Sequence, residues 1–273
     1  MFPGNPYLIV GLLGDFRLDP AYVDRETAMP HWRSSEAAVA GASIFFELAD
    51  QRSAELGVLE NGWQDMPASV LPGGQQWQLH EGSGNWKDRG PLRLRGWMQL
   101  GLYGPESTSE FTARFPHSPP TATALELMWD VLRTAGRPAL GGVDAEVPLW
   151  LVGDDFTAKV EDGRPDPGIQ HVPVLLEIGL HDPGNPAVRA AIASTVVSFC
   201  SGAELLPGVR TRRAMDAEPD VFLCDPADVS GVVALRTTVP SWSIETAAWL
   251  VDVATVACHD AGERGGASVS VRR

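Results

Sequence analysis

The residues best suited to chemistry are arginines on one side of an alternating stretch. Over residues 92–103, Leu92, Leu94, Met98, Leu100 and Leu102 take one parity, and Arg93, Arg95, Trp97, Gln99 and Tyr103 take the other. A period of two is that of a strand, so Arg93 and Arg95 project from one sheet face. Past a Gly104-Pro105-Glu106-Ser107 turn, residues 109–115 read as the hairpin partner, with Glu110, Thr112 and Arg114 on its polar parity. Arg236 and Thr238 hold the polar parity of Gly231–Val239, and His171, Leu175, Glu177 and His181 stand opposite the apolar side of Val172–Leu180. Guanidinium forks match carboxylate and phosphate. The chemistry this permits is capture of an anion by Arg93, Arg95, Arg114 and Arg236, with Glu177 or His171 as acid or base. Arginine is equally an ordinary solvated residue on an open antiparallel face. If the face is enclosed, Arg95 and Arg114 need partners, and Glu177 or Glu110 are the expected carboxylates.

Other chemistry is not indicated. Three cysteines (Cys200, Cys224, Cys258) without a CxxC pair give neither a disulfide framework nor a zinc site. The six histidines lack HxH or HxxxH spacing, so no metal is expected. The Gly73–Gly84 region has neither GxGxxG nor GKS/T, no serine sits in GxSxG, and no cofactor is implied. A net charge of −14 repels nucleic-acid phosphate and anionic lipid and attracts a basic protein. No apolar run reaches 18 residues, so no membrane-spanning helix is expected. The opening residues Met1-Phe2-Pro3-Gly4-Asn5-Pro6 lack the form of a secretion signal. Together these point to a cytoplasmic, reduced protein, and the arginine-rich, lysine-poor composition to a bacterial one.

The elements that must position these residues read as one pattern written twice. Residues 7–14 form a buried strand, and a helix follows from about 35 to 57. Residues 60–91 are rich in Gly, Pro and Gln and carry Trp63, Trp77 and Trp86, which reads as a long non-regular loop with aromatic anchors. The 92–115 hairpin precedes a helix with a Thr123-x-x-Glu126 capping box and a stripe of Leu125, Met128, Leu132 and Ala135, stopped by Gly136 and Pro138. A strand over 147–152 follows, with 156–160 continuing it or pairing with it. After a linker at 161–170 come a strand at Val172–Leu180, a helix capped by Asn185-Pro186, strands at 221–224 and Gly231–Val239, a helix capped by Ser243, and a strand at 267–271. The expected fold is α+β: tandem ferredoxin-like βαββαβ halves, 1–160 and 171–273, with antiparallel sheets and helices on one face, the two faces either closing into an α+β barrel or standing as separate sheets.

Arg114-Phe115-Pro116 ending a strand, an amphipathic helix with Trp129 and a following strand with Trp150 resemble immunity proteins of bacterial polymorphic toxin systems. The resemblance covers about 40 residues and implies a non-enzymatic protein that binds and neutralises a partner. Two functions are therefore expected. One is an acidic binding protein docking a basic partner through its open face (Trp97) or its aromatic loop (Trp77, Trp86), since Trp, Tyr and Arg are enriched at hot spots. The other is a small-molecule enzyme with a barrel pocket in which arginines anchor an anionic substrate. No catalytic motif stands out, so the reading leans away from an enzyme.

Overall fold

The computed structural model describes residues 7–22, 48, 49, 51, 52, 60, 61, 77–84, 93–102, 119–149, 152, 153, 155–166, 171–180, 185–200, 202–207, 231–263 and 265–273; at 7, 60, 61, 77–84, 101, 102 and 231 only the backbone is described. The elements are β1 (Tyr7–Leu18), β2 (Glu60–Asn61), β3 (Trp77–Gly84), β4 (Arg93–Leu102), α1 (Thr121–Ala135), β5 (Gly136–Pro148), α2 (Phe156–Asp162), β6 (Val172–Leu180), α3 (Pro186–Phe199), β7 (Glu204–Leu205), β8 (Gly231–Val239), α4 (Ile244–Asp260) and β9 (Gly266–Arg272). The fold is α+β. The chain divides into a central unit (residues 11–116 and 123–141) and a C-terminal unit (1–10, 117–122 and 142–273).

In the central unit the strand order is β2-β3-β4-β1-β5. β3 and β4 pair antiparallel, with a break in register between Leu79 and Glu81. Strands β1 and β5 lie so close that a side chain on Gly14 would run into the Ala139 carbonyl, and one on Gly136 into the Arg17 carbonyl. These contacts pair 14 with 139 and 17 with 136, an antiparallel register that only glycine allows at this separation. Helix α1 buries Ala124, Leu125, Leu127, Met128, Val131, Leu132 and Ala135, the stripe its sequence spacing requires.

In the C-terminal unit the order is β5-β9-β6-β8-β7, every adjacent pair antiparallel. Alternation sets its two faces. Val143, Ala145 and Val147 of β5, Val174, Leu176 and Ile178 of β6, and Val269 and Val271 of β9 are buried apolar residues of one face. Helix α3 packs on α4, and α4 on β9. Asn185 caps α3 by accepting from the Ala187 and Val188 amides, with Pro186 at its first position. Ser243 caps α4 by accepting from the Thr246 amide. Nearly all of α4 is buried, which makes it the core helix of this unit.

The structure corrects several expectations. Neither strand run closes on itself among the described residues: the outermost strands, β2 and β7, are two-residue edges, too short to bring a sheet round into a barrel. Residues 77–84, expected within a non-regular loop, form β3; Trp77 and Leu79 already alternate there, and the break at His80 hides the rest of the period. Of the strand expected at 147–152 only Val147 and Pro148 are strand, the end of β5, which begins at Gly136. Residues 156–160, expected as strand, belong to helix α2, because Phe156 and Val160 are buried four residues apart. Helix α1 starts at Thr121, which puts Thr123 inside it and not at a cap. The expected strands at 109–115 and 221–224, most of the helix at 35–57, and Trp63, Trp86 and Arg114 lie outside the described residues.

Candidate functional site

The second face of the C-terminal sheet is polar, and pairing register builds it row by row. Ser270 of β9 stands between Asp144 of β5 and Glu177 of β6; Ser268 stands between Glu146 and Gly179; Arg272 stands between Gly142 and Leu175. The last of these rows continues through Leu175 to Arg236 on β8 and Glu204 on β7. Directly paired residues share a face. Three carboxylates and two hydroxyls therefore project together, all within two adjacent rows about 7 Å apart.

This face is not uniformly wet. Asp144 is 1 % exposed, and Ser268 and Ser270 are buried. Glu146, Glu177 and Arg272 are half-buried, while Arg236 and Glu204 are exposed. Arg272 Nε donates to Ser270 Oγ at 2.9 Å, and its Nη2 stands 3.9 Å from Asp144 Oδ1, an ion pair beyond hydrogen-bond reach. Both carboxylate oxygens of Asp144 are buried without a hydrogen bond among the described residues. Each such acceptor costs about 1–3 kcal/mol, more when charged. A group held at that cost is the strongest sign in this unit of a site built to accept a donor. Chemically the face is an acceptor surface suited to an ammonium or guanidinium. Among the described residues no group of His, Cys, Asp or Glu is placed to hold a metal ion.

The sequence-derived candidates divide between the two units. Glu177 belongs to the acceptor face, His171 is exposed just ahead of β6, and Arg236 is exposed on β8. In the central unit Arg93 is exposed and Trp97 half-buried. Arg95 is 1 % exposed; its Nε donates to the Gly14 carbonyl, and Nη2 lies 3.8 Å from Asp15. Asp15, on the neighbouring strand, is thus one carboxylate beside it; Glu110, expected as a partner, lies outside the described residues. Trp77 opens β3. Asp144 and Glu146 are the functional candidates that sequence reasoning missed. Their signal is plain in Val143-Asp144-Ala145-Glu146-Val147, a clean period of two.

The buried titratable groups add two constraints. Burial pushes the Cys200 thiol up to about 11, with Arg164 and Thr237 opposing. Burial, and secondarily Glu263, push Cys258 upward as well. Neither is a thiolate nucleophile at neutral pH. On α4, burial pushes the Asp252 carboxyl up to about 7, against the Lys159 ammonium and the Thr121 hydroxyl.

No family model, curated protein or solved structure matches the chain. Among the described residues no helix is long and apolar enough to cross a membrane.

Proposed function

We propose that this chain is an acidic, non-catalytic binding protein that docks a basic protein partner, in the manner of a bacterial immunity protein acting in the cytoplasm. The observation that carries the reading is Asp144, a buried carboxylate with unmet hydrogen-bonding capacity, set in a row with Ser270 and Glu177. A net charge of −14 supplies the long-range attraction that brings a basic partner in, and the acceptor face supplies the local match. The face grades from buried at Asp144 to exposed at Arg236 and Glu204, so a cationic side chain enters from the β8 side. Cys200 and Cys258 are free, buried thiols, which suits a reducing compartment.

The architecture behind this reading is a tandem repeat of the βαββαβ plan. The strand orders β3-β4-β1-β5 and β7-β8-β6-β9 support it, since each, with β2 and α2 left aside, can be read as the order 2-3-1-4 of a ferredoxin-like sheet.

Calorimetric titration with an arginine-rich peptide, a lysine-rich peptide and an acidic control tests the proposal. The basic peptides are expected to bind with an affinity that falls as salt rises. Asp144→Asn and Glu177→Gln should each weaken binding at least tenfold, and Glu263→Gln should leave it unchanged. Equal binding by all three variants would sink the role of this face.

A further inference from the structure

An open cleft of about 490 Å³ lies on the central unit, lined by Leu48, Gln51, Arg52, Asp130, Arg133 and Thr134. That volume falls within the roughly 300–1,000 Å³ of small-molecule sites. Residues 48, 51 and 52 are helical and supply one wall, and the last turns of α1 supply the other. Leu48 is buried and gives the cleft an apolar floor.

The polar lining is built around one tie. Arg52 Nε and Nη2 both donate to Asp130 Oδ2, at 3.1 and 2.9 Å. The pair is partly exposed, at 38 % and 33 %, so its value lies in orientation more than in stability. It holds the guanidinium plane against the cleft wall and commits the Asp130 charge to Arg52. The Thr134 hydroxyl is committed too, donating to the Asp130 carbonyl at 2.8 Å. Arg133 stands three residues beyond Asp130, on the same side of α1, and is exposed. Among the described residues no second carboxylate lines the cleft. The described lining thus sets two guanidiniums against one carboxylate, in a chain of net charge −14.

We infer that this cleft binds a small oxyanion, a carboxylate or phosphate on a compact apolar body that rests on Leu48. Arg133, exposed on α1, supplies one guanidinium, and Arg52, held in plane by Asp130, supplies a second. Forked donors of this kind recognise carboxylate and phosphate oxygens in pairs. The inference is independent of the acceptor face, which lies in the other unit and takes ligands of opposite charge.

Isothermal titration of the full chain with benzoate, inorganic phosphate and phenyl phosphate tests it. Saturable one-to-one binding is expected, and Arg133→Gln should weaken it at least tenfold, about 1.4 kcal/mol. The ranking of benzoate against phenyl phosphate identifies which oxyanion is preferred. Circular dichroism of Arg133→Gln checks that this exposed substitution leaves the fold intact. Absence of binding to all three probes up to about 10 mM, a concentration above which affinity is too weak to define a site, overturns the inference. So does binding that Arg133→Gln leaves unchanged.

Discussion

Replacing Asp252 by asparagine should change how stability depends on pH. Asp252 sits on α4, 7 % exposed, inside the helix that forms the core of its unit. Its Oδ1 has no hydrogen bond among the described residues, nor has Thr121 Oγ1. Burial raises the carboxyl from 3.8 to about 7. The folded state therefore holds a proton that the unfolded chain releases near pH 3.8. Below that pH the group costs nothing. Between pH 3.8 and 7 stability falls as pH rises, because the folded state binds the extra proton. Above pH 7 the loss is complete and constant. A shift of roughly three units at about 1.4 kcal/mol each gives about 4 kcal/mol in all. About 2 kcal/mol of it falls between pH 5.5 and 8.5, a range that avoids the acid end where other carboxylates titrate. An asparagine side chain has no proton to lose, so Asp252→Asn should be more stable than wild type, by about 2 kcal/mol more at pH 8.5 than at pH 5.5. Urea unfolding followed by far-ultraviolet circular dichroism reads this as a widening gap in midpoint of about 1 M. Glu245→Gln, at an exposed position of the same helix, should run parallel to wild type. If Asp252→Asn also runs parallel, Asp252 is ionised in the fold and its charge is answered there, which refutes the reasoning.

Three further outcomes follow from named contacts. Arg95→Ala should cost at least about 3 kcal/mol in thermal unfolding, because a fully buried side chain is lost and the Gly14 carbonyl loses its donor; a loss under about 1 kcal/mol would mean a merely wet position. Gly14→Ala should destabilise by about 1–3 kcal/mol or more, read from the same melts, since its Cβ would run into the Ala139 carbonyl and the obstacle is backbone. Cys200 and Cys258 should resist iodoacetamide in the native protein and react once it is unfolded, as peptide mass spectrometry can read; rapid native labelling would contradict their burial and raised pKa.

Local chemistry was the legible part of the fold. Asn185-Pro186 and Ser243 start helices in the sequence because side-chain oxygens satisfy amides within three residues, and they do so in the structure. The alternation of Val172–Leu180 gives the correct inner face, with Val174, Leu176, Ile178 and Leu180 buried. Elements went unread where the local code was weak or interrupted. β5 opens with Gly136-Arg137-Pro138 and passes through Gly141-Gly142, residues that mark turns, yet at Gly136 its neighbour is so close that a side chain would meet the Arg17 carbonyl. In β3 the register skips His80, so a period of two survives for only a few residues. In α2, a seven-residue helix offers two buried positions, Phe156 and Val160, too few to show a stripe.

The candidate site exposes a deeper limit of periodicity. Alternation assigns Arg95 to the polar parity of β4, and by that logic it should resemble Arg93, which is exposed. It is instead among the most buried side chains of the chain. Parity states which face a residue takes; it does not state whether that face is covered. Coverage depends on contacts between segments far apart in sequence, here β4 with the Gly14 carbonyl on β1. The same holds for Asp144, whose parity follows from Val143, Ala145 and Val147, but whose burial and weak tie to Arg272 require β9 beside it, from the far end of the chain. In both places a charge is enclosed with fewer hydrogen bonds than its chemistry can use or with a partner unrelated to its local pattern. Such departures from local consistency are where function is to be sought. The two differ in outcome. Arg95 is answered within the chain by Gly14 and Asp15, which makes it a structural clamp. Asp144 has no hydrogen bond to answer it among the described residues, and that difference is why the acceptor face, and not the arginine row, is the better candidate for recognising a partner.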